Sequence, residues 1–93
     1  MILCICDYGE VRSMAMTNVL RRRGYCAKPM GENSIALNAF IIDFKPNHII
    51  WMSTGSPKSK GFIGNDIWGT PNNKKLIKLC EDKADELGFV NKK

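Results

Sequence analysis

The chain has 93 residues, of which 44% are hydrophobic and 25% charged, and its formal net charge is +5. These fractions are those of an ordinary globular protein, and the length predicts a single domain over residues 1–93. The longest apolar run is too short to span a bilayer, and no basic region precedes an apolar one at the N-terminus, so we expect no membrane partner and a cytoplasmic location. The positive charge favours anionic ligands in general and does not by itself identify nucleic acid as a partner.

The first two predicted elements are a strand and a helix. Ile2–Cys6 is continuously apolar, as expected of a strand that is buried on both faces of a parallel sheet. Over Ser13–Arg23 the apolar residues recur at helical spacing. The run Arg21-Arg22-Arg23 stands directly before Gly24, where cations complement the helix dipole and glycine suits the residue after the helix. We therefore interpret this run as a helix end rather than as a nucleic-acid patch.

The middle of the chain predicts a second strand and a second helix. Tyr25–Lys28 is the predicted strand, ended by a proline and by Gly31. Asn33 or Ser34 can cap a helix that continues to about residues 40–43, and a following proline enforces a break.

The last third of the chain predicts a strand at His48–Met52 and a helix over roughly Asn73–Leu87. Ser53 and Thr54 follow the strand, and loops at strand ends face the ligand crevice of a doubly wound sheet, so these two residues either line a pocket mouth or form a plain polar turn. The final helix carries one face with an apolar stripe, made of Leu76, Leu79, Cys80, Lys83, Ala84 and Leu87.

The alternation of strands and helices predicts the fold class. It favours a small three-layer, doubly wound α/β domain with a central parallel sheet of three to four strands flanked by helices. The four cysteines miss the spacings of zinc sites, and Cys4 and Cys6 alternate on one strand and are not expected to pair. His48 is interpreted as a strand-start residue, and we expect no metal and no cofactor.

The candidate site lies between the first strand and the first helix. Cys6 and Arg12 are separated by five residues, and Ser13 follows, which gives the pattern Cys-x5-Arg-Ser. A loop of this length can turn several backbone N–H groups towards one point and so bind an anion. Arg12 can offer two N–H donors to a phosphate, and Ser13 can donate to the sulfur. The predicted phosphate-binding residues are Asp7, Tyr8, Gly9, Glu10, Val11, Arg12 and Ser13.

The electrostatics of this loop favour a reactive thiol and leave one question open. A cysteine beside an anion site and a helix N-terminus has a lowered pKa, and its thiolate is a nucleophile. A cysteine at a strand end is also a common inert packed thiol. Asp7 and Glu10 would repel phosphate if their carboxylates pointed inward, although side chains of such loops normally point outward while the N–H groups point in.

The pattern resembles the signature of the low-molecular-weight protein tyrosine phosphatases. In other branches of the cysteine-dependent tyrosine phosphatases the general-acid aspartate lies before the signature, whereas here only five residues precede Cys6 and none is acidic. Low-molecular-weight members place the signature on the first strand and the acid near the C-terminal end. This chain has Gly9 and Val11 where that family usually has Asn and often a second Cys.

The resemblance implies an activity and a set of roles. Cys6, Arg12 and Asp66 would be the catalytic residues, with Asp66 in the segment Asp66-Ile67-Trp68-Gly69, where the family has proline in place of Ile67. Tyr8 and Trp68 would wall the pocket. The implied reaction is hydrolysis of a phosphomonoester on a phosphorylated protein or a small molecule, through a phosphocysteine and without a metal.

Three alternatives remain open at this point. The same loop could bind a phosphorylated ligand or a nucleotide without turnover. Arsenate reduction would require a relay through further cysteines, for which Cys26 and Cys80 are the candidates. Nucleic-acid binding by the basic ends has little support in the sequence, and the oligomeric state is left undetermined.

Overall fold

The computed structural model describes residues 1–52 and 69–92. The predicted pocket residues Ser53, Thr54, Asp66 and Trp68 therefore lie outside the described residues. Within the described ranges the chain forms strands β1 (Ile2–Cys6), β2 (Ala27–Gly31) and β3 (His48–Trp51) and helices α1 (Arg12–Arg22), α2 (Leu37–Phe44) and α3 (Lys74–Glu86). None of these helices has the length and apolar character needed to cross a membrane.

The strands form a parallel sheet with the order β2-β1-β3. Ile2 on the central strand pairs with Ala27 on one side and with His48 on the other. Helix α1 connects β1 to β2, and α2 then carries the chain back across β1 to β3. This is the predicted fold class, a small three-layer α/β domain, and the described part of its sheet has three strands.

Two apolar cores cover the two faces of the sheet. Alternate residues of β1 point to opposite faces, so Ile2, Cys4 and Cys6 face one core while Leu3 and Ile5 face the other. The first core packs β1 against α1 and α3. Its other buried members are Ala15, Met16, Val19, Leu20, Ala27, Ile50, Met52, Leu76, Cys80 and Ala84. The second core packs β1 against α2 through Leu37 and is flanked by Met30, Phe40, Ile41, Ile49 and Trp51.

The second strand begins later than the sequence predicts. The backbone N–H of Tyr25 donates to the carbonyl of Leu20 at 3.0 Å, so Tyr25 still belongs to the end of α1 rather than to the strand. Strand β2 instead runs from Ala27 to Gly31 and includes Pro29. Proline is tolerated there because, among the described strands, β2 lies at the edge of the sheet and one of its sides needs no N–H for pairing.

The second helix also begins later than predicted, at Leu37. Ser34 does not cap it, since the Ser34 hydroxyl accepts from the N–H of Ala36 and thereby closes a turn ahead of the helix. The prediction of Asn33 or Ser34 as the cap was therefore wrong. Local hydrogen bonding by Ser and Asn side chains favours turns as well as caps, and here the turn forms.

The arginine run Arg21–Arg23 lies at the end of α1. Arg21 donates to the carbonyl of Ala27, and Arg23 forms ion pairs with Glu81 and Asp85, so both arginines bind within the domain.

The described helix Lys74–Glu86 agrees with the predicted final helix to within a residue at each end. Its buried stripe is narrower than predicted, since only Leu76, Cys80 and Ala84 are buried, whereas Leu79 and Leu87 are exposed.

Candidate functional site

The candidate site lies at the carboxyl end of the central strand. Cys6 is the last residue of β1, and the neighbouring strands on its two sides are reached by connections that run in opposite directions. Ligands of open α/β sheets bind at such a switch point, outside the carboxyl ends of the strands. The loop of residues 7–11, which we call the anion loop, starts here and leads into α1.

The sulfur of Cys6 is the point on which the local hydrogen-bond donors converge. Its Sγ lies 3.1 Å from Oγ of the fully buried Ser13. Hydrogen bonding from the backbone N–H groups of Tyr8, Gly9 and Ser13 also lowers the pKa of the thiol. Burial alone raises the pKa of the Cys6 thiol, but these hydrogen bonds outweigh it, and the pKa of Cys6 lies below its ordinary value. Cys6 is 3% exposed.

The start of α1 explains why donors are available at this point. Val11 occupies the N-cap position and makes no side-chain capping bond, so the first turn of the helix is uncapped. The first N–H groups of a helix lack partners within the helix, and an anion can take the place of a capping side chain. At α3, by contrast, Asn73 caps the first turn by accepting from Lys75 and Leu76. The anion-binding role of the N-terminus of α1 stays a prediction from the sequence.

Arg12 is held by groups on both sides of it. Its guanidinium donates to the carbonyl of Met52 at 2.6 Å and pairs with the carboxylate of Asp7 at 3.2 Å. The Arg12 side chain is 11% exposed and that of Asp7 is 27% exposed. The expectation that side chains of the loop point outward therefore fails for Asp7, because its carboxylate turns to the arginine, while Glu10 is exposed as expected.

The remaining predicted site residues have distinct surroundings. Tyr8 is 75% exposed, beside a donor group of the site, so its ring is free to contact a ligand. Gly9 adopts a φ of +73°, which confirms the need for a glycine in the turn. Val11 packs its side chain on the first core, and only its backbone belongs to the loop. The predicted acid Asp66 and pocket wall Trp68 are not among the described residues.

The other cysteines differ from Cys6 in their chemistry. Burial raises the pKa of the Cys4 thiol to about 12, despite a lowering contribution from Thr17. Burial likewise raises the pKa of the Cys80 thiol to about 12. Cys26 is exposed, and all four cysteines are free thiols. At neutral pH Cys4 and Cys80 are thus neutral core residues.

The structure also identifies supporting residues that sequence reasoning missed. Gly31, the last residue of β2, packs its backbone against the anion loop, and the N–H groups of Glu32 and Asn33 donate to the carbonyls of Cys6 and Asp7. The carboxyl ends of adjacent parallel strands meet at one edge of a sheet, and this rule could have placed Gly31 beside Cys6.

Comparisons of the chain with family models, with characterised proteins and with solved structures gave no significant match.

Proposed function

We propose that the protein is a cysteine-dependent phosphatase that hydrolyses a phosphomonoester through a phosphocysteine intermediate. One observation supports this proposal above the others. Three backbone N–H groups and the Ser13 hydroxyl converge on Cys6 and lower the pKa of its thiol in spite of its burial. A core cysteine needs no such environment, as Cys4 shows two residues earlier on the same face of β1. A nucleophile that must be ionised at neutral pH does need it.

The first step would be attack by the Cys6 thiolate on phosphorus. The sulfur–phosphorus bond forms as the ester oxygen–phosphorus bond breaks, and the departing oxygen takes a proton from the general acid. Donors that stabilise the thiolate before the reaction would then bind the equatorial oxygens, so no reorganisation is needed as charge moves. We assign the acid to Asp66 on the sequence resemblance alone.

The second step would return the enzyme to its starting state. Water attacks phosphorus, the sulfur–phosphorus bond breaks, and the Asp66 carboxylate accepts the proton of the water. Inorganic phosphate leaves and Cys6 is again a thiolate. Neither step requires a metal ion or a cofactor.

The surroundings of the site bear on the substrate class and the setting. An exposed Tyr8 beside the loop suits a phosphorylated protein or a small aryl, sugar or nucleotide phosphate as the partner. We place the protein in the cytoplasm, where its four free thiols stay reduced. The two arginines at the end of α1 that bind within the domain, Arg21 and Arg23, argue against nucleic acid as the partner.

The test is hydrolysis of a generic aryl phosphate across pH without added metal. The parent should turn over, Cys6→Ser should be inactive, and Asp66→Asn should lose about a hundredfold or more in kcat. Because Cys6 must be ionised while Asp66 is protonated, the rate profile should be bell-shaped with its optimum below neutral pH. A parent rate that keeps rising above neutral would contradict the pairing of these two residues.

A second candidate is a non-catalytic module that binds a phosphorylated ligand or a nucleotide. The ion pair between Arg12 and Asp7 favours it, since the guanidinium that should stabilise the transition state already has an anionic partner. This candidate predicts that inorganic phosphate raises the melting temperature of the parent while no aryl phosphate is hydrolysed. Arsenate reduction by a relay through Cys80 is disfavoured, because the pKa of Cys80 is raised to about 12 and a relay needs a second reactive thiolate.

A further inference from the structure

The anion loop is in backbone contact with the end of β2. A Cβ on Gly31 would lie 2.8 Å from the carbonyl carbon of Tyr8 and 3.0 Å from its Cα, closer than non-bonded atoms approach. A Cβ on Gly9 would lie 2.7 Å from the backbone nitrogen of Gly31. The φ of Gly31 is not in the left-handed region, so its conformation does not require glycine. The close packing of Gly31 against Tyr8 is what requires glycine at this position.

The two residues after Gly31 bind the outer side of the loop. The N–H of Glu32 donates to the carbonyl of Cys6 at 2.7 Å, and the N–H of Asn33 donates to the carbonyl of Asp7 at 3.2 Å. These bonds hold the carbonyls of Cys6 and Asp7 to the residues that follow β2.

Peptide geometry connects these contacts to the sulfur. In a trans peptide the C=O and the following N–H point in opposite directions. A bond from Asn33 to the carbonyl of Asp7 therefore fixes the direction of the N–H of Tyr8, one of the groups that bind the Cys6 sulfur. In the same way, Gly31 packs on the peptide unit that carries the N–H of Gly9, another of these donors.

We propose that the segment Gly31–Asn33 positions the N–H donors of the anion loop and that Gly31 is a positioning residue for the anion site. The inference rests on the proposed function for the identity of the ligand, a phosphate group. It does not rest on it for the effect on the Cys6 thiol, which is measurable in a protein with or without turnover.

The experiment compares Gly31→Ala with the matched substitution Gly88→Ala. Gly88 has a φ of +86°, with no atom within 4 Å of a Cβ placed there, so this substitution costs stability without touching the loop. Both are made in a Cys26→Ser background, because Cys26 is an exposed thiol that would also react. Alkylation of Cys6 by iodoacetate is followed against pH, with and without inorganic phosphate.

Gly31→Ala should shift the pH midpoint of Cys6 alkylation upwards and weaken protection by phosphate by about tenfold, since hydrogen bonds to a charged group are lost. Gly88→Ala should keep the parental midpoint and protection at a comparable loss of melting temperature. A folded Gly31→Ala protein with parental values of both would overturn the proposal. If phosphate fails to protect even the parent, the proposed function is wrong, while the shift in midpoint still decides the role of Gly31.

A measurement on the parent decides the matter if Gly31→Ala does not fold. In the amide NMR spectrum, the signal of Asn33 should shift with the same pH midpoint as Cys6 alkylation, because its N–H binds the carbonyl of the Asp7–Tyr8 peptide unit, whose N–H is one of the sulfur's donors. The amide of Gly88 should not follow that midpoint. A signal of Asn33 that does not follow the ionisation of Cys6 would overturn the proposal.

Discussion

At the scale of single residues, Cys4 and Cys6 show how position decides the chemistry of a thiol. They lie two residues apart on β1 and face the same core, yet the pKa of Cys4 is raised to about 12 and that of Cys6 is lowered. Desolvation by burial is the largest contribution for both thiols. At Cys6 it is exceeded by the hydrogen bonds of the Ser13 hydroxyl and of the loop, because only Cys6 reaches the end of the strand where N–H groups lack other partners.

Ser13→Ala should raise the pKa of the Cys6 thiol and slow the proposed reaction. The Ser13 side chain is the largest of the contributions that lower this pKa, and alanine removes it while keeping the backbone N–H. The acid limb of the rate profile should move to higher pH, and kcat below neutral pH should fall by about tenfold. Ser13→Thr, which keeps a hydroxyl, is the control and should retain the parental midpoint. An unchanged acid limb in Ser13→Ala would show that the N–H groups suffice.

Asp7→Asn should strengthen phosphate binding. The Asp7 carboxylate pairs with Arg12 at 3.2 Å and competes with a bound anion for the guanidinium, and it adds repulsion. Removing one charge at this range should lower the Kd for phosphate by about tenfold at low ionic strength. Glu10→Gln makes the same charge change at an exposed position and should alter the Kd by less than about twofold. Weaker binding by Asp7→Asn, measured by calorimetry, would mean that Asp7 chiefly orients Arg12.

At the scale of secondary structure, the N-termini of α1 and α3 differ in their capping. The N-terminus of α1 has no capping side chain and meets Cys6, whereas Asn73 caps α3 by accepting two backbone bonds. The capping side chain stabilises the first turn of α3. Helix α3 can therefore support the first core through Leu76 and Cys80 without any ligand. Helix α1 has no such cap, and the proposed anion would bind at its N-terminus.

Asn73→Ala should lower stability and leave the anion site unchanged. Loss of the cap should cost about 1 kcal/mol of unfolding free energy, equivalent to about 4–8 °C in the melting temperature of a domain of this size. Asn72→Ala, at the adjacent exposed position, is the matched control and should change the melting temperature by less than about 2 °C. Equal losses in the two variants would show that the side-chain bonds of Asn73 add nothing. Phosphate affinity should be parental in both.

Local sequence patterns predicted the features that depend on interactions between residues close together in the sequence. The apolar run Ile2–Cys6 and the loop with Gly9 follow from hydropathy and turn chemistry, and both are present. The start of β2 was predicted two residues early. The backbone bond from Tyr25 to Leu20 extends the end of α1, and no composition signal separates these two outcomes.

Long-range contacts set the parts of the site that the sequence did not predict. The bond from Arg12 to the carbonyl of Met52 joins residues 40 apart, and it exists because β3 lies beside β1. The packing of Gly31 against Tyr8 likewise depends on the parallel register of β1 and β2. A sequence motif identifies donors such as Ser13, but the groups that orient them come from neighbouring strands.

At the scale of the whole molecule, the first core holds two thiols that should make stability fall in alkaline solution. The pKa values of Cys4 and Cys80 are raised from 9.0 to about 12 by burial in this core. The folded protein thus retains protons that the unfolded chain releases above pH 9. Their contribution to stability is complete below pH 9 and is lost as the pH rises towards 12. Each thiol should lower the unfolding free energy by about 1.4 kcal/mol per pH unit in this window.

Cys80→Ala should therefore reduce the alkaline slope of stability. The variant is expected to be less stable than the parent at pH 8, because it leaves a small cavity in the first core, but its unfolding free energy should fall less steeply between pH 9 and 10.5. The measurement is denaturant unfolding at closely spaced pH values under reducing conditions. Cys26→Ser replaces an exposed thiol outside the first core and is the control, which should retain the parental slope. Parallel curves for Cys80→Ala and the parent would mean that the first core admits water and lets Cys80 ionise while the protein is folded. Cys80 and Cys6 would then differ less in the ionisation of their thiols.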